Sequence, residues 1–153
     1  MDINERVITF KFLHNILTTK NRLFKIKKID SPLCPLCNSV ENQIHMFVEC
    51  KKIENILVYF KYVINKICNL KNVNINKILH LNFKANKNQY NTAIILTTAF
   101  IGCVWYNRGK TKCIEAHIYK TRLLKHNHIL QIILKENMAK LFTENYCKLV
   151  EHI

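Results

Sequence analysis

Four side chains that commonly bind metal ions lie close together in the N-terminal third of the chain. Cys34, Cys37, His45 and Cys50 form the pattern C-x2-C-x7-H-x4-C within seventeen residues. Zinc takes four thiolate or imidazole ligands in a tetrahedron, and Cys3His is a common structural set. The spacing therefore predicts one structural zinc ion. The alternative is two cysteines in a turn, a histidine that caps a helix and a buried core cysteine.

The chain is strongly basic. Its 153 residues carry 24 Lys and Arg against 10 Asp and Glu, a formal net charge of +14. Such a charge favours a polyanionic partner such as DNA, RNA or a phospholipid surface. Lys, Asn and Ile are also the residues that AT-rich codons produce, so the alternative origin for part of the charge is codon bias instead of selection for binding. With 49% hydrophobic residues the chain can bury a core and does not have the composition of a disordered protein.

The cysteines indicate a reducing compartment. The N-terminus is charged where a signal peptide needs an apolar run. The longest apolar stretch, residues 93–106, is too short to cross a bilayer. We expect an intracellular protein, nuclear or cytoplasmic, without a membrane partner, whose clustered cysteines bind metal. The remaining four cysteines are predicted to be small buried hydrophobic residues: Cys68, Cys103, Cys113 and Cys147.

Apolar residues recur at helical spacing along most of the chain, and no run alternates at the period of a strand. We therefore predict an all-α fold, a helical bundle with a small Cys3His zinc knuckle near the N-terminus. Residues 1–70 hold a helix pair, the zinc module and a following helix, and residues 71–153 form the helical remainder, packed with the first part as one unit. The predicted helices are 3–17, with apolar positions Val7, Phe10, Leu13 and Leu17 beside Ile8 and Phe12, then about 20–28, 41–49, 51–70, 75–80, 88–107, 112–142 (one helix or two) and a short one after Thr143.

The second predicted helix is unusually basic. Thr18 and Thr19 precede it as candidate N-caps, and apolar residues alternate with its cations, so one face can be buried while the other binds phosphates. The alternative is an ordinary solvated face. The candidate nucleic-acid-binding residues are these cations and the two lysines after Cys50: Lys20, Arg22, Lys25, Lys27, Lys28, Lys51 and Lys52.

Catalytic motifs are missing from the sequence. It has no paired-aspartate motif for two-metal chemistry, no His-Glu-x-x-His and no Gly-rich phosphate loop, with two glycines in all. Four protein ligands would leave zinc without an open coordination position, as in a structural site. The prediction is a protein that is not an enzyme and has no catalytic residues.

Three stretches resemble the C-terminal zinc-binding region of non-LTR (LINE-type) retrotransposon reverse transcriptases. Residues 12–23 (FLHNILTTKNRL) resemble the helix pair before that region, although Thr18 replaces an expected proline. Residues 34–50 resemble its C-x-x-C, Glu (Glu41), His-x-Phe and Cys pattern. Further on, Trp105-Tyr-Asn-Arg108 resembles a Trp-x-x-Arg helix that often follows. The Tyr/Phe-x-Asp-Asp polymerase motif does not occur here.

The resemblance implies a non-catalytic accessory domain that engages template RNA or target DNA, with the Cys3His set holding zinc. Other regions of a reverse transcriptase would be further partners. A second hypothesis belongs to another class: a structural or protein-interaction module, in which zinc only holds the fold and the helical half docks on a polymerase or self-associates. A salt-dependent affinity for nucleic acid distinguishes the first from the second.

Overall fold

The structure is a computed structural model that describes residues 3–70, 74–109 and 114–123. This part of the chain is mostly helical and contains no strand, apart from one isolated antiparallel bridge between Leu33 and Val40. The predicted helical class is confirmed to this extent, while the bundle arrangement and the boundary at residue 70 stay predictions. The helices are α1 (Ile3–Leu13), α2 (Lys20–Lys25), a π-helix (His45–Glu49), a 3-10 helix (Lys51–Ile53), α3 (Glu54–Cys68), α4 (Ile75–Leu79), α5 (Lys87–Asn107) and residues 116–123.

Helix α5 lies at the centre of the core. Nearly all of its side chains from Thr92 to Val104 are buried, and it contacts α1, α3, α4 and the π-helix. Aromatic rings fill the interface with α3: the rings of Phe60 and Phe100 stack at 4.4 Å, and Tyr119 packs edge-on against both. The Tyr119 hydroxyl donates a 2.9 Å hydrogen bond to the Leu96 carbonyl, so this buried polar atom is satisfied.

Helix α1 buries a different face from the one its apolar residues suggest. Ile8 and Phe12 are buried, whereas Val7 and Phe10 are 43% and 56% exposed. The apolar residues of α1 lie on more than one face of the helix, so their spacing alone does not show which face is buried. The buried stripe also contains Glu5, whose Oε1 accepts a 2.6 Å bond from Arg122 and so joins α1 to the helical residues 116–123.

Local backbone chemistry sets the helix ends. Thr19 caps α2 as predicted, its hydroxyl accepting from the Arg22 amide. Helix α2 is shorter than the predicted 20–28, because Lys27 adopts a left-handed φ of 55°. Likewise, α3 ends at Asn69 in the same region, with φ 52°, and α5 begins at a capping box between Asn86 and Gln89.

Two predicted core cysteines are confirmed, since Cys68 and Cys103 are fully buried. Burial raises the pKa of the Cys68 thiol to about 12, which keeps it in the protonated, unreactive form. Cys113, Cys147 and the predicted helical stretch after residue 123 lie outside the described residues. In the described ranges, every helix is too short or too polar to cross a membrane.

The stacked pair between α3 and α5 predicts a position-specific cost of mutation. Phe60→Ala should lower the free energy of unfolding by about 3–5 kcal/mol, because it leaves a cavity against Phe100 and Tyr119. Val58→Ala is the matched control on the same helix: this side chain is 63% exposed, and its loss should cost less than about 0.5 kcal/mol. Urea unfolding of both variants measures the difference, and equal losses would contradict the packing described.

Candidate metal centre

The first two ligands lie on a tight turn. The Asn38 amide donates to the Cys34 carbonyl at 2.9 Å, and the Cys34 amide donates to the Ser39 carbonyl at 2.8 Å. Asn38 has a φ of 58°, a left-handed conformation that asparagine tolerates better than most residues. These bonds fold the C-x2-C segment back on itself and direct both sulfurs to one point.

The other two ligands are brought together by a π-helix. An α-helix turns 100° per residue, so it would place residues five apart about 140° away from each other. Here the Cys50 amide donates to the His45 carbonyl at 2.8 Å, an i→i+5 bond that places Cys50 just past the helix end. The Asn42 side chain accepts from the His45 amide at 2.8 Å and fixes the start of this turn. The predicted short helix at 41–49 is therefore present but of the π type.

The four ligand atoms converge. The ligand atoms of Cys34, Cys37, His45 and Cys50 all lie within 4.8 Å of one another. The two closest pairs are Cys34 Sγ to Cys50 Sγ at 3.8 Å and Cys37 Sγ to His45 Nε2 at 3.3 Å. Cys37 is half-buried and the other three side chains are buried. The three thiols and the imidazole thus surround a common centre. The cluster could bind a metal ion.

The surroundings of the sulfurs shift the pKa values of two of the thiols, and both the hydrogen bonds and the repulsion between sulfurs are consistent with a bound cation. Burial raises the pKa of the Cys50 thiol to about 12; the Lys52 amide hydrogen bond opposes this, and the neighbouring sulfurs Cys34 and Cys37 add to it. At Cys37, burial acts in the same direction but is outweighed by hydrogen bonds, above all from the Ser39 backbone, so its pKa is lowered. Three thiolates this close repel one another, and a bound cation removes that repulsion and favours deprotonation.

The segment that carries the four candidate ligands, residues 31–50 and here called the metal loop, is hydrogen-bonded directly to α2. Glu41 accepts from two amides in the first turn of that helix: its Oε1 accepts from the Lys20 amide at 3.2 Å, and its carbonyl accepts from the Asn21 amide at 3.1 Å. The Lys20 ammonium in turn donates to the Leu33 carbonyl at 3.2 Å. Glu41 belongs to the motif quoted above, and the structure gives it this linking role.

The predicted nucleic-acid-binding cations divide into two groups. Lys20 is half-buried and held by the loop, and Lys52 is 6% exposed, with its ammonium donating to the Arg108 carbonyl at 2.9 Å. The Lys52 carbonyl also accepts from the Ile114 amide, so this residue joins the metal loop to the end of α5 and to segment 114–123. A side chain so engaged is not offered to a phosphate. The exposed members are Arg22, Lys25, Lys27, Lys28 and Lys51.

The Trp-x-x-Arg stretch closes over the junction between α1 and α2. The Arg108 guanidinium stacks 3.6 Å from the Trp105 ring centroid and donates to the Thr18 carbonyl at 3.2 Å. Burial lowers the pKa of Arg108, an effect that Glu41 partly opposes, and the group remains a cation. In the sequence, Trp105 and Arg108 stand out only through the resemblance, because a contact across ninety positions leaves no local signal.

Comparisons of the chain with protein-family models, curated proteins and solved structures found no match. The resemblance to the retrotransposon region therefore stays a hypothesis that depends on the quoted motifs. The convergence of the Cys3His set is independent of that resemblance, since it is a property of the folded chain.

The left-handed turn residue predicts a clear contrast between two substitutions. Asn38→Val should destabilise the metal-bound protein by about 1–3 kcal/mol, because a β-branched residue at φ 58° is strained. Asn38→Gly also removes the asparagine side chain, but glycine adopts a positive φ without strain, so this variant should be close to the parent protein in stability. Chemical unfolding of the two variants beside the parent protein is the measurement. A valine variant as stable as the glycine variant would mean that the turn is not formed as described.

Proposed function

We propose that this chain is a non-catalytic, zinc-stabilised nucleic-acid-binding domain that engages RNA or DNA through its basic helix. The observation that carries the proposal is the pair of bonds between Glu41 and the start of α2, which couples the Cys3His cluster to the exposed cations. In this proposal the metal orders a loop, and the loop holds a basic segment in place.

The donor set and its spacing support zinc as the metal. Zinc–sulfur bonds of about 2.3 Å in a tetrahedron separate two sulfurs by about 3.8 Å. The distance between the Cys34 and Cys50 sulfurs is 3.8 Å. Four protein ligands complete the coordination, which is typical of structural zinc and leaves no position for a substrate. Structural zinc in small modules contributes on the order of 10 kcal/mol of binding free energy, enough to decide whether the loop is ordered.

The placement of cations supports a polyanionic partner. Arg22, Lys25, Lys27 and Lys28 are exposed within seven positions of the chain, and Lys51 is exposed beside Cys50. Side chains of this kind contact phosphates without reading sequence. With the motif resemblance, these features favour an accessory domain similar to the C-terminal region of a non-LTR retrotransposon reverse transcriptase, folded as a helical bundle with a zinc knuckle.

Charge-matched variants test whether position or total charge determines binding. Arg22→Gln/Lys25→Gln/Lys28→Gln removes three cations from the basic segment and should weaken binding to a 20-nucleotide strand by at least about tenfold. It should also reduce the slope of log affinity against log salt by about 2, since each phosphate contact on a single strand contributes about 0.7. Fluorescence anisotropy across a salt series is the measurement.

The control for this test is Lys61→Gln/Lys66→Gln/Lys77→Gln, which removes the same charge from exposed positions on α3 and α4. Its affinity should fall by a much smaller factor. Equal losses in the two triple variants would assign binding to net charge alone, and an affinity for nucleic acid that does not change with salt would overturn the proposed function.

A second candidate function is a protein-interaction module. The outer face of α1 exposes four apolar side chains, Ile3, Val7, Phe10 and Leu13, and Ile3 is 68% exposed. Such a row on a soluble domain favours contact with another protein surface, either a polymerase or a second copy. Light scattering at increasing concentration distinguishes these: self-association that Phe10→Ser reduces supports the module, and a monomer that binds nucleic acid supports the first proposal.

A further inference from the structure

Two neighbouring cavities open between α2, the π-helix and α4. One has a volume of about 290 Å³ and the other about 300 Å³. They share a wall of three amide residues, Asn15, Asn42 and Gln43. Each volume is at the lower end of the range for small-ligand pockets. The two cavities therefore adjoin at this wall, and the pair, here called the cleft, has two chemically different ends.

The first cavity, here called the apolar chamber, has aromatic and aliphatic walls. Phe12, Phe47 and Leu79 form its floor, and His80 stands at its rim. The His80 ring lies 5.1 Å from the Phe12 ring, and its Nδ1 lies 2.8 Å from the Asn76 carbonyl, which fixes the ring plane. His80 is exposed, so the chamber presents a flat, held ring to whatever enters it.

The second cavity, the basic chamber, is lined by Arg22 and Lys25 from the exposed face of α2. Among the described residues that line the two chambers there is no Asp or Glu. The guanidinium of Arg22 donates to the Asn15 carbonyl at 3.3 Å and is thereby kept at the shared wall. This end of the cleft therefore suits an anionic group and disfavours a cation.

The amides of the shared wall are anchored. The Gln43 Nε2 donates to the Phe12 carbonyl at 2.8 Å, and the Asn42 Oδ1 accepts from the amide of the ligand His45 at 2.8 Å. The Gln43 Oε1 is buried without a hydrogen-bond donor among the described residues. An unsatisfied buried acceptor costs free energy, and this cost would be recovered by a donor that reaches it.

We propose that this cleft binds one nucleotide unit of a single-stranded nucleic acid. The unpaired base enters the apolar chamber and stacks on His80, and the adjacent phosphate lies in the basic chamber between Arg22 and Lys25. The amide wall, Asn15, Asn42 and Gln43, meets the edge of the base. The inference rests on the proposed function and deepens it, since it names the form of nucleic acid that is recognised.

Shape decides between single strands and duplexes. A base can reach a recessed aromatic chamber only when it is unpaired and turned out of its stack, which costs little in a single strand and several kcal/mol in a duplex. A flat basic surface would bind both forms through phosphates alone. The juxtaposition of an apolar chamber with two cations, across one wall of amides, is the feature that a duplex cannot use.

The test compares probes that differ only in their bases. The full-length zinc-loaded chain is titrated by fluorescence anisotropy with a mixed-sequence 12-nucleotide strand, an abasic strand with the same number of phosphates, and a 12-base-pair duplex. DNA and RNA versions of the base-bearing strand are measured in parallel. The base-bearing strand should bind at least about fivefold more tightly than the abasic strand, the lower bound for stacking of one base on an aromatic ring.

Two variants locate the effect. His80→Ala should reduce affinity for the base-bearing strand to near that of the abasic strand while leaving the abasic affinity unchanged, which also shows that the variant is folded. The control is His14→Ala, a second exposed histidine whose ring lies 4.2 Å from the Phe10 ring, tilted by 45°. It lines neither chamber, and its loss should change neither affinity. Ile44 lines the apolar chamber and is 50% exposed. Ile44→Trp should obstruct the chamber and lower the affinity for the base-bearing strand as much as His80→Ala does.

The outcomes separate this inference from the function on which it rests. Base dependence in either the DNA or the RNA series, lost in His80→Ala and Ile44→Trp, supports the cleft and shows which sugar it prefers. Equal binding of base-bearing and abasic strands, or a preference for duplex, overturns the cleft and leaves the general proposal of nucleic-acid binding standing. No binding to any probe overturns both.

Discussion

Convergence of four candidate ligands, Cys34, Cys37, His45 and Cys50, is the constraint on which our account of the N-terminal half depends. Of residues 31–44, all of which the structure describes, Cys34 has the sole buried side chain. Such a loop gains almost nothing from the hydrophobic effect and must offset the entropy of ordering by other means. The features that can offset this cost are a few backbone hydrogen bonds and the Cys3His cluster. In the proposed function, a bound metal ion supplies the cross-link that a small core would otherwise provide.

The start of α2 and the wall of the cleft are held by this loop, so in our account they also depend on the four candidate ligands. Glu41 and the Leu33 carbonyl hold the start of α2, and Asn42 and Gln43 form the wall between the two chambers. The interface of α3 with α5 differs in kind, because stacked aromatic rings and a fully buried helix stabilise it without reference to the metal. Lys52 joins the two parts, since its amide contacts the Cys50 sulfur and its ammonium contacts the end of α5. Loss of metal should thus loosen the basic segment and the cleft together, before the helical core.

Sequence reasoning worked where the cause is local. The cap at Thr19, the helix predicted at 88–107 and the close grouping of the four Cys and His side chains each follow from residues near one another in the chain. The coordinating role itself and the binding role of the exposed cations stay predictions. The helix class at His45 could not be foreseen, because an i→i+5 turn has no strong propensity signature.

What sequence reasoning missed depends on distant contacts. The buried face of α1 packs on α5 and contains the pair of Glu5 with Arg122, and Lys52 turns inward toward the Arg108 carbonyl, fifty-six positions away. A lysine beside a metal ligand looks like a phosphate contact until its partner is known. The cleft was also invisible, since its walls come from α1, the metal loop and α4. Local patterns specify which side chains can interact, and tertiary packing selects which of them do.

The most direct test of this account is the zinc content of the purified chain, measured by elemental analysis beside the Cys37→Ser/Cys50→Ser double variant. The account predicts about one zinc per chain in the parent protein and none in the variant, with a loss of helicity as the loop and α2 come apart. A parent protein that is well folded and contains no zinc would contradict it, because the loop that carries the basic segment would then be ordered by something other than its four ligands.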